Sequence, residues 1–116
     1  MDIYKNRRVI GLIEPVTLIG NNKKSKNLKA RIDTGAEKSS LCARLAAELN
    51  LGPILKRKII TSAHGHTLRP VMEAKIKLDG KNLKAEFTIA DRSHMKYKVL
   101  VGQNILKKGF LIDPLK

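Results

Sequence analysis

The sequence predicts a small, closed or nearly closed β-barrel, mainly β with one or two short helices. Several segments alternate apolar and polar residues, which is the pattern of strands with one buried face. Turn residues such as Asp79-Gly80 separate these segments at short intervals. The length of 116 residues, with only 3% Phe, Trp and Tyr, suits one aliphatic-cored domain over residues 1–116.

Two short strands are predicted near the start of the chain. The apolar runs at 9–13 and 16–19 indicate strands, and Glu14-Pro15 separates them. The segment 20–25 is rich in Gly, Asn and Lys, which predicts the turn that follows the second strand.

The next strand leads into the most distinctive motif of the chain. Leu28, Ala30 and Ile32 alternate with basic residues, and this strand delivers the chain to the motif 33–35. A short helix is predicted after it, because leucines recur every four residues through an Ala-rich segment that ends near residue 50. These leucines are Leu41, Leu45 and Leu49.

The second half contains a β-hairpin whose register can be read from the sequence. Apolar residues alternate on both sides of Asp79-Gly80, a favoured two-residue type I′ turn. If Leu78 pairs with Lys81, the apolar residues of both strands share one face. The cross-strand pairs are then Ile76 with Leu83, Ala74 with Ala85, and Met72 with Phe87.

The remaining elements follow from turn signals. Residues 57–61 and 67–69 flank a small-residue tip at 62–66, which predicts another hairpin. The run 99–102 predicts a buried strand that turns at a glycine into a short helix at 103–108. Residues 110–112 predict a final strand.

The charge is unusual. The chain has 24 Lys and Arg against 10 Asp and Glu, a formal net charge of +14. Such a surface attracts nucleic acid, a ribosome or an acidic polypeptide. The basic residues are scattered, without aromatic residues between them for base stacking, so a plain solvated lysine-rich surface is slightly favoured.

Compartment and membrane association are also constrained. No apolar run approaches the roughly 18 residues of a membrane helix, and the charged start does not resemble a signal peptide. The single cysteine, Cys42, cannot form an intrachain disulfide. We therefore expect a cytoplasmic protein that does not span a membrane.

The motif Asp33-Thr34-Gly35 places a carboxylate at a strand end, in a tight turn. The glycine lets the backbone approach closely, and nearby N–H groups can hold the acid. Three residues alone are a weak signal. The order of the segments adds specificity, because a glycine-bearing hairpin tip (62–66) follows, and then a strand, glycine and helix (99–106).

This order resembles the retropepsins, the single-domain aspartic proteases of retroviral type. Four segments are similar, in order, to the retropepsin-like family often labelled ATP-dependent zinc protease, some members of which are associated with the RimK amino-acid ligase. They are ARIDTGAEKSSLCA, RPVMEAKIKLDGK, AEFTIADRSHMKYKVLVGQNIL and GFLIDP. The tail from 86 to 114 is the most specific part. Because the chain has neither a P-loop signature nor HExxH, we expect no ATP or zinc cofactor and no metal site.

The resemblance implies residue roles. Asp33 would be the catalytic carboxylate, Thr34 would brace the loop across a dimer, and Gly35 would allow the turn. Ala36 would lie in the substrate-binding loop, and a flap tip would cover the substrate. The flap residues are His64, Gly65 and His66.

The resemblance also implies a support beneath the loop. Val101 and Gly102 would belong to the strand packed under it. Retroviral members often pair an acid after the motif with an arginine after the late glycine. Here these positions hold Glu37 and Gln103, so at best a neutral hydrogen bond replaces the ion pair.

The chemistry requires a second carboxylate. One carboxylate activates water and the other, protonated, polarises the carbonyl. The sequence has no second Asp-Thr-Gly, so a two-fold homodimer would place Asp33 beside its symmetry mate. The sequence predicts a homodimeric aspartic endopeptidase acting on a peptide or protein, with an acidic one favoured by the charge.

Other interpretations stay open. Asp33 could be a turn residue in an inactive barrel that binds RNA, a ribosomal protein or an acidic polypeptide through its basic surface. A zinc site would have to draw on ligands without a recognisable spacing, namely His64, His66, His94 and Cys42. We instead expect His94 in an exposed loop, Cys42 as a small buried hydrophobe, and Asp91-Arg92 as a local structural pair.

Overall fold

The computed structural model describes residues 2–21, 23–63 and 65–116. Ten strands and two helices lie within these residues. In chain order they are β1 (Ile3–Tyr4), β2 (Arg7–Ile10), β3 (Ile13–Ile19), β4 (Ser25–Ile32), β5 (Ser39–Cys42), α1 (Ala43–Glu48), β6 (Lys56–Ser62), β7 (Gly65–Leu78), β8 (Lys81–Ala90), β9 (Val99–Val101), α2 (Gln103–Leu106) and β10 (Phe110–Ile112). Neither helix in this part of the chain has the length and hydrophobicity needed to cross a membrane.

Six strands close into a barrel. The order is β3-β4-β9-β5-β8-β7, and β7 pairs back onto β3 to complete the circle. The β4–β9 and β5–β8 pairs are parallel and the other four are antiparallel. The interior is mainly aliphatic, and Phe87 is its largest fully buried side chain. The predicted fold class is confirmed.

The β7–β8 hairpin has the register that the sequence predicts. Leu78 pairs with Lys81, and the three apolar pairs expected from the alternation are all present. Asp79 and Gly80 have φ values of 49° and 78°, as a type I′ turn requires. The outer hairpin, β6–β7, is also present and extends beyond the barrel wall.

The predicted break at Glu14-Pro15 is wrong. Both residues lie inside β3. The break between β2 and β3 instead falls at Gly11 and Leu12. Pro15 is tolerated because β3 pairs with β7 only from Val16 onward. Its missing N–H therefore falls where one side of the strand has no neighbour.

The predicted helix from Leu41 is wrong at its beginning. Leu41 lies in β5, between β8 and β9, and α1 covers only Ala43–Glu48. Leu45 and Leu49 are buried as expected. Sheet pairing determines the conformation of Leu41, so its spacing from Leu45 does not reflect a helical turn.

A second, three-stranded sheet gathers the two ends of the chain. The order is β1-β2-β10, with β1 antiparallel and β10 parallel to β2. No sequence pattern predicted β1. Because β10 is the outer strand on its side, one edge of Phe110–Ile112 has no neighbouring strand within the described residues.

Candidate active site

Asp33 lies where the parallel strands β4 and β9 end side by side. Ile32 is paired with Val101, and the Asp33 backbone N–H donates to the Val101 carbonyl at 2.9 Å. The half-buried carboxylate accepts a hydrogen bond at its Oδ1 from the Gly35 backbone N–H, at 2.9 Å. The motif thus orients its own acid.

Gly35 gives that acid room. A Cβ added to this glycine would lie 3.3 Å from Asp33 Oδ1, tighter than an ordinary van der Waals contact. A side chain at this position would therefore crowd the oxygen that the Gly35 N–H holds.

The loop after the motif is fastened to the start of α2. The backbone N–H groups of Gln103 and Asn104 donate to the carbonyls of Ala36 and Glu37, at 2.8 and 3.1 Å. A Cβ on Gly102 would lie 2.6 Å from the Lys38 carbonyl oxygen. Only glycine allows this close approach, so Val101-Gly102 lies directly beneath the loop.

A buried polar network, which no sequence pattern predicted, completes this support. Asn104 Oδ1 accepts hydrogen bonds from both the backbone N–H and the hydroxyl of Ser39, at 2.9 and 2.8 Å. The Gly102 N–H donates to Ser39 Oγ, and Asn104 Nδ2 donates to the Glu86 carbonyl, both at 2.9 Å. Ser39 is fully buried.

Gln103 makes a neutral hydrogen bond, but not with Glu37. Its Nε2 donates to the Thr34 backbone carbonyl at 2.8 Å, while the Glu37 side chain is exposed. Thr34 and Gln103 both border an open cavity of about 470 Å³ that continues to Leu111 and Ile112 of β10. The loop and the edge of the three-stranded sheet therefore border the same cavity.

The β6–β7 hairpin contains the residues for which the resemblance implies a flap. Gly65 begins β7 with φ 111°, and Thr61 Oγ1 lies 3.0 Å from His66 Nδ1 across the hairpin. His64 lies outside the described residues. Side chains of the hairpin face residues 36–38 across a cavity of about 480 Å³.

A family model described as retropepsin-like aspartic endopeptidase RimB matches residues 48–116, more than half of the chain. The chain belongs to this RimB-like family. That description contains neither the ATP nor the zinc of the label mentioned above, and the match begins after Asp33.

One curated protein is similar to most of this chain in sequence. DNA damage-inducible protein 1 of Saccharomyces cerevisiae is 27% identical over 93 residues, which are 77% of this chain and 21% of that protein. The chain therefore spans about a fifth of the length of this curated relative.

Three solved structures share the fold. A Legionella pneumophila protein of unknown function is 24% identical with a TM-score of 0.66, covering 94% of both chains. EIAV protease, complexed with an inhibitor, is 21% identical with a TM-score of 0.64, covering 92% of this chain and 91% of its own. Simian Foamy Virus (mac) protease is 17% identical with a TM-score of 0.61, covering 82% and 91%.

Within this family fold, the cavity beneath the hairpin is strongly basic. It begins at Ala36, three positions after Asp33, and includes one buried arginine, Arg92, which is only 8% exposed. Burial lowers the pKa of Arg92, and the charge of Asp33 acts in the opposite direction. A guanidinium keeps its proton nonetheless, so a permanent positive charge lies beside the candidate site.

The predicted local pair Asp91-Arg92 is wrong. Asp91 accepts hydrogen bonds from the N–H and hydroxyl of Ser93 at 3.0 and 2.6 Å, and Arg92 Nε donates to the Tyr97 carbonyl at 3.1 Å. The two side chains have separate partners because Asp91 is exposed to solvent whereas Arg92 is buried.

The candidate metal ligands are not brought together in the part of the chain that the structure describes. No group of three or more His, Cys, Asp and Glu side chains there could hold a metal ion. Cys42 is buried, at 3% exposure, and His94 is exposed. Burial raises the pKa of the Cys42 thiol, but backbone N–H groups of Arg92, Arg44 and Leu45 outweigh it and leave the pKa below its ordinary value.

Proposed function

We propose that this protein is an aspartic endopeptidase whose active site forms between two copies of the chain. The observation that carries the proposal is the Asp33 carboxylate, oriented by the Gly35 N–H at the end of β4. A half-buried, oriented acid at the end of a strand is suited to activating water. One such acid per chain is half of the required pair.

The dimer would form around the surface that joins Thr34 to β10. This surface is defined by Thr34, Gln103, Leu111 and Ile112, which border one cavity. The free edge of β10 can pair antiparallel with the β10 of a second copy, because an unpaired strand edge offers its N–H and C=O groups to another strand. A two-fold axis there would bring two Asp33 carboxylates together.

The reaction then follows from two carboxylates that share one proton. The ionised carboxylate removes a proton from water, and the water oxygen bonds to the peptide carbonyl carbon while the protonated carboxylate donates a hydrogen bond to the carbonyl oxygen. The C–N bond then breaks as the leaving nitrogen takes a proton from the carboxylate pair. Two such groups in contact cannot both ionise. The proposed hydrolysis therefore uses Asp33, its mate and water, with Thr34 bracing the turn across the dimer.

The substrate would lie in the cavity between residues 36–38 and the hairpin, with Gly65 and His66 above it. An extended peptide fits a cleft of this kind, since a strand-like segment can lie beside the hairpin. The net charge of +14 favours acidic peptides in diffusional encounter.

The decisive experiment is the Asp33→Asn variant in a peptide-cleavage assay with a mixed peptide library. We expect cleavage to be abolished while circular dichroism and sedimentation velocity show an unchanged fold and dimer. A control, Asp113→Asn, removes an exposed acid after β10 and should cleave normally. Cleavage by Asp33→Asn at the wild-type rate would refute the proposal. Salt-sensitive anion binding without any cleavage by the wild type would favour a binding module instead.

A further inference from the structure

Arg92 is a buried cation without an acidic partner among the described residues. Its side-chain hydrogen bond there is the one from Nε to the Tyr97 carbonyl. The ion pairs in this part of the chain involve other residues, namely Lys26–Glu48, Lys56–Glu86, Lys84–Glu73 and Lys116–Asp2. Burying a guanidinium costs free energy unless an anion compensates its charge. We therefore expect an anionic ligand to bind at Arg92.

A second buried group with unused hydrogen-bonding capacity borders the same cavity. Ser40 is 8% exposed, and its hydroxyl has no hydrogen-bond partner within the described residues. Both Ser40 and Arg92 line the cavity of about 480 Å³. Buried polar groups are nearly always hydrogen-bonded, so an unpartnered hydroxyl and a guanidinium without an ion-pair partner in one cavity indicate a binding site.

The surroundings select a negative charge. Three further cationic side chains line the cavity, Lys38, Lys58 and Arg69, against one acid, Glu37. Thr88 is not available as a further donor, because its hydroxyl donates to the Ser39 carbonyl at 3.3 Å. Burial protects an ion pair here from the salt screening that weakens contacts on the exposed lysines.

We propose that Arg92 and Ser40 form a carboxylate-binding subsite next to Asp33, and that Arg92 is a specificity-determining residue. The guanidinium would hold both carboxylate oxygens and the hydroxyl would donate a third hydrogen bond. This rests on the proposed function, since the cavity lies between the catalytic loop and the hairpin. Such a subsite differs from the general attraction that a net charge of +14 exerts on acidic peptides, because one buried position would recognise one carboxylate.

The carboxylate could come from a Glu or Asp side chain or from the C-terminus of a peptide. Four fluorescein-labelled octapeptides separate these sources. Two sequences are used, one with a single central glutamate and one with glutamine in its place, and each is made with a free and with an amidated C-terminus. Binding is measured by anisotropy on the Asp33→Asn protein, so that the result does not depend on catalysis.

We expect the acid to bind roughly 10- to 100-fold more tightly than its amide, as for a charge-assisted hydrogen-bonded pair. Adding Arg92→Gln should abolish this preference. The matched control is Arg44→Gln, which removes an exposed arginine on α1 and should leave the preference intact. Raising the salt concentration should weaken the binding of all four peptides while leaving the ratio of acid to amide affinities unchanged.

Ser40→Ala distinguishes a binding role from a structural one. Removing an unpartnered buried hydroxyl should leave the melting temperature unchanged or higher, while the acid preference falls several-fold. Equal binding of the acidic and amide peptides by the protein that retains Arg92 would overturn the subsite. A preference for the acid that survives Arg92→Gln would overturn it too. A wild type that binds acids selectively but cleaves nothing would refute the proposed protease and leave the subsite standing.

Discussion

The side-chain amide of Gln103 donates a 2.8 Å hydrogen bond to the backbone carbonyl of Thr34, so α2 holds the tip of the candidate catalytic turn. Gln103→Glu keeps the shape but removes the donor and places a carboxylate against a carbonyl oxygen. We expect the free energy of unfolding to fall by about 1 kcal/mol and kcat/KM to fall about tenfold. Thermal melts and peptide cleavage measure these effects.

The control for that variant is Asn82→Asp, which makes the same change of charge at an exposed position on β8. It should affect neither quantity. If Gln103→Glu behaves like Asn82→Asp, the Gln103–Thr34 contact does not position the turn.

Gly102 is predicted to be the most sensitive glycine of the support. In Gly102→Ala, the new methyl group would lie 2.6 Å from the Lys38 carbonyl oxygen and 2.8 Å from that of Ala36. Both obstacles are backbone atoms, so the loop must shift, and we expect a loss of about 2 kcal/mol or more in the free energy of unfolding. Urea titration measures it, and an unchanged midpoint would show that the loop yields freely.

The sequence was most informative where the signals were local. The register of β7–β8 follows from an alternating pattern and an Asp-Gly turn that lie within one continuous stretch. Leu41 could not be assigned in this way, because its strand depends on β8 and β9, which come much later in the chain. Pro15 misled for the same reason, since only the pairing of β3 shows that its missing N–H has no partner to lose.

The same distinction between local and long-range signals applies to the residues of the candidate site. Asp33, Gly35 and Gly102 could be predicted because their short motifs have specific backbone requirements. Arg92 was misassigned, since its burial depends on how residues 91–98 pack against the barrel. The Ser39–Asn104 contact joins positions 65 apart in sequence, so no local pattern could reveal it.

Acid should loosen the loop that carries Arg92. The Ser93 hydroxyl and N–H lower the pKa of Asp91 from its ordinary 3.8. Because the carboxylate holds its proton less tightly in the folded protein, its stabilisation is complete above the ordinary pKa and is lost as the pH falls through the lowered value. When melting temperatures are measured from pH 6 downward, we expect them to decrease once the pH is below about 4. The decrease should be less steep for the Asp91→Asn variant.

Ser93→Ala is the matched variant, since it keeps the acid and removes one of its donors. It should give an intermediate slope. The ion pair of Glu48 with Lys26 lowers the pKa of Glu48 from 4.5, and it should contribute in the same direction in all three proteins. Identical acid slopes in wild type and Asp91→Asn would contradict the assignment to Asp91.

Lys98 is predicted to position Arg92. Its Nζ donates to the Arg92 carbonyl at 3.0 Å and also to the carbonyls of Ser93 and Met95. Lys98→Met keeps the aliphatic stem and removes all three donors. We expect the preference for an acidic over an amidated peptide to fall several-fold, with cleavage of the neutral peptide preserved. Equal loss on both peptides would indicate general destabilisation.

The shared active site can be tested by mixing subunits. If each dimer has one site with an Asp33 from each chain, an Asp33→Asn subunit inactivates every dimer that it enters. When wild-type and variant chains are exchanged to equilibrium at a fixed total concentration, activity should fall as the square of the wild-type fraction, so an equal mixture keeps about one quarter. Independent sites would keep one half. Mixing with Asp113→Asn controls for exchange itself and should leave the activity unchanged, and a linear decline with Asp33→Asn would refute a site built from both chains.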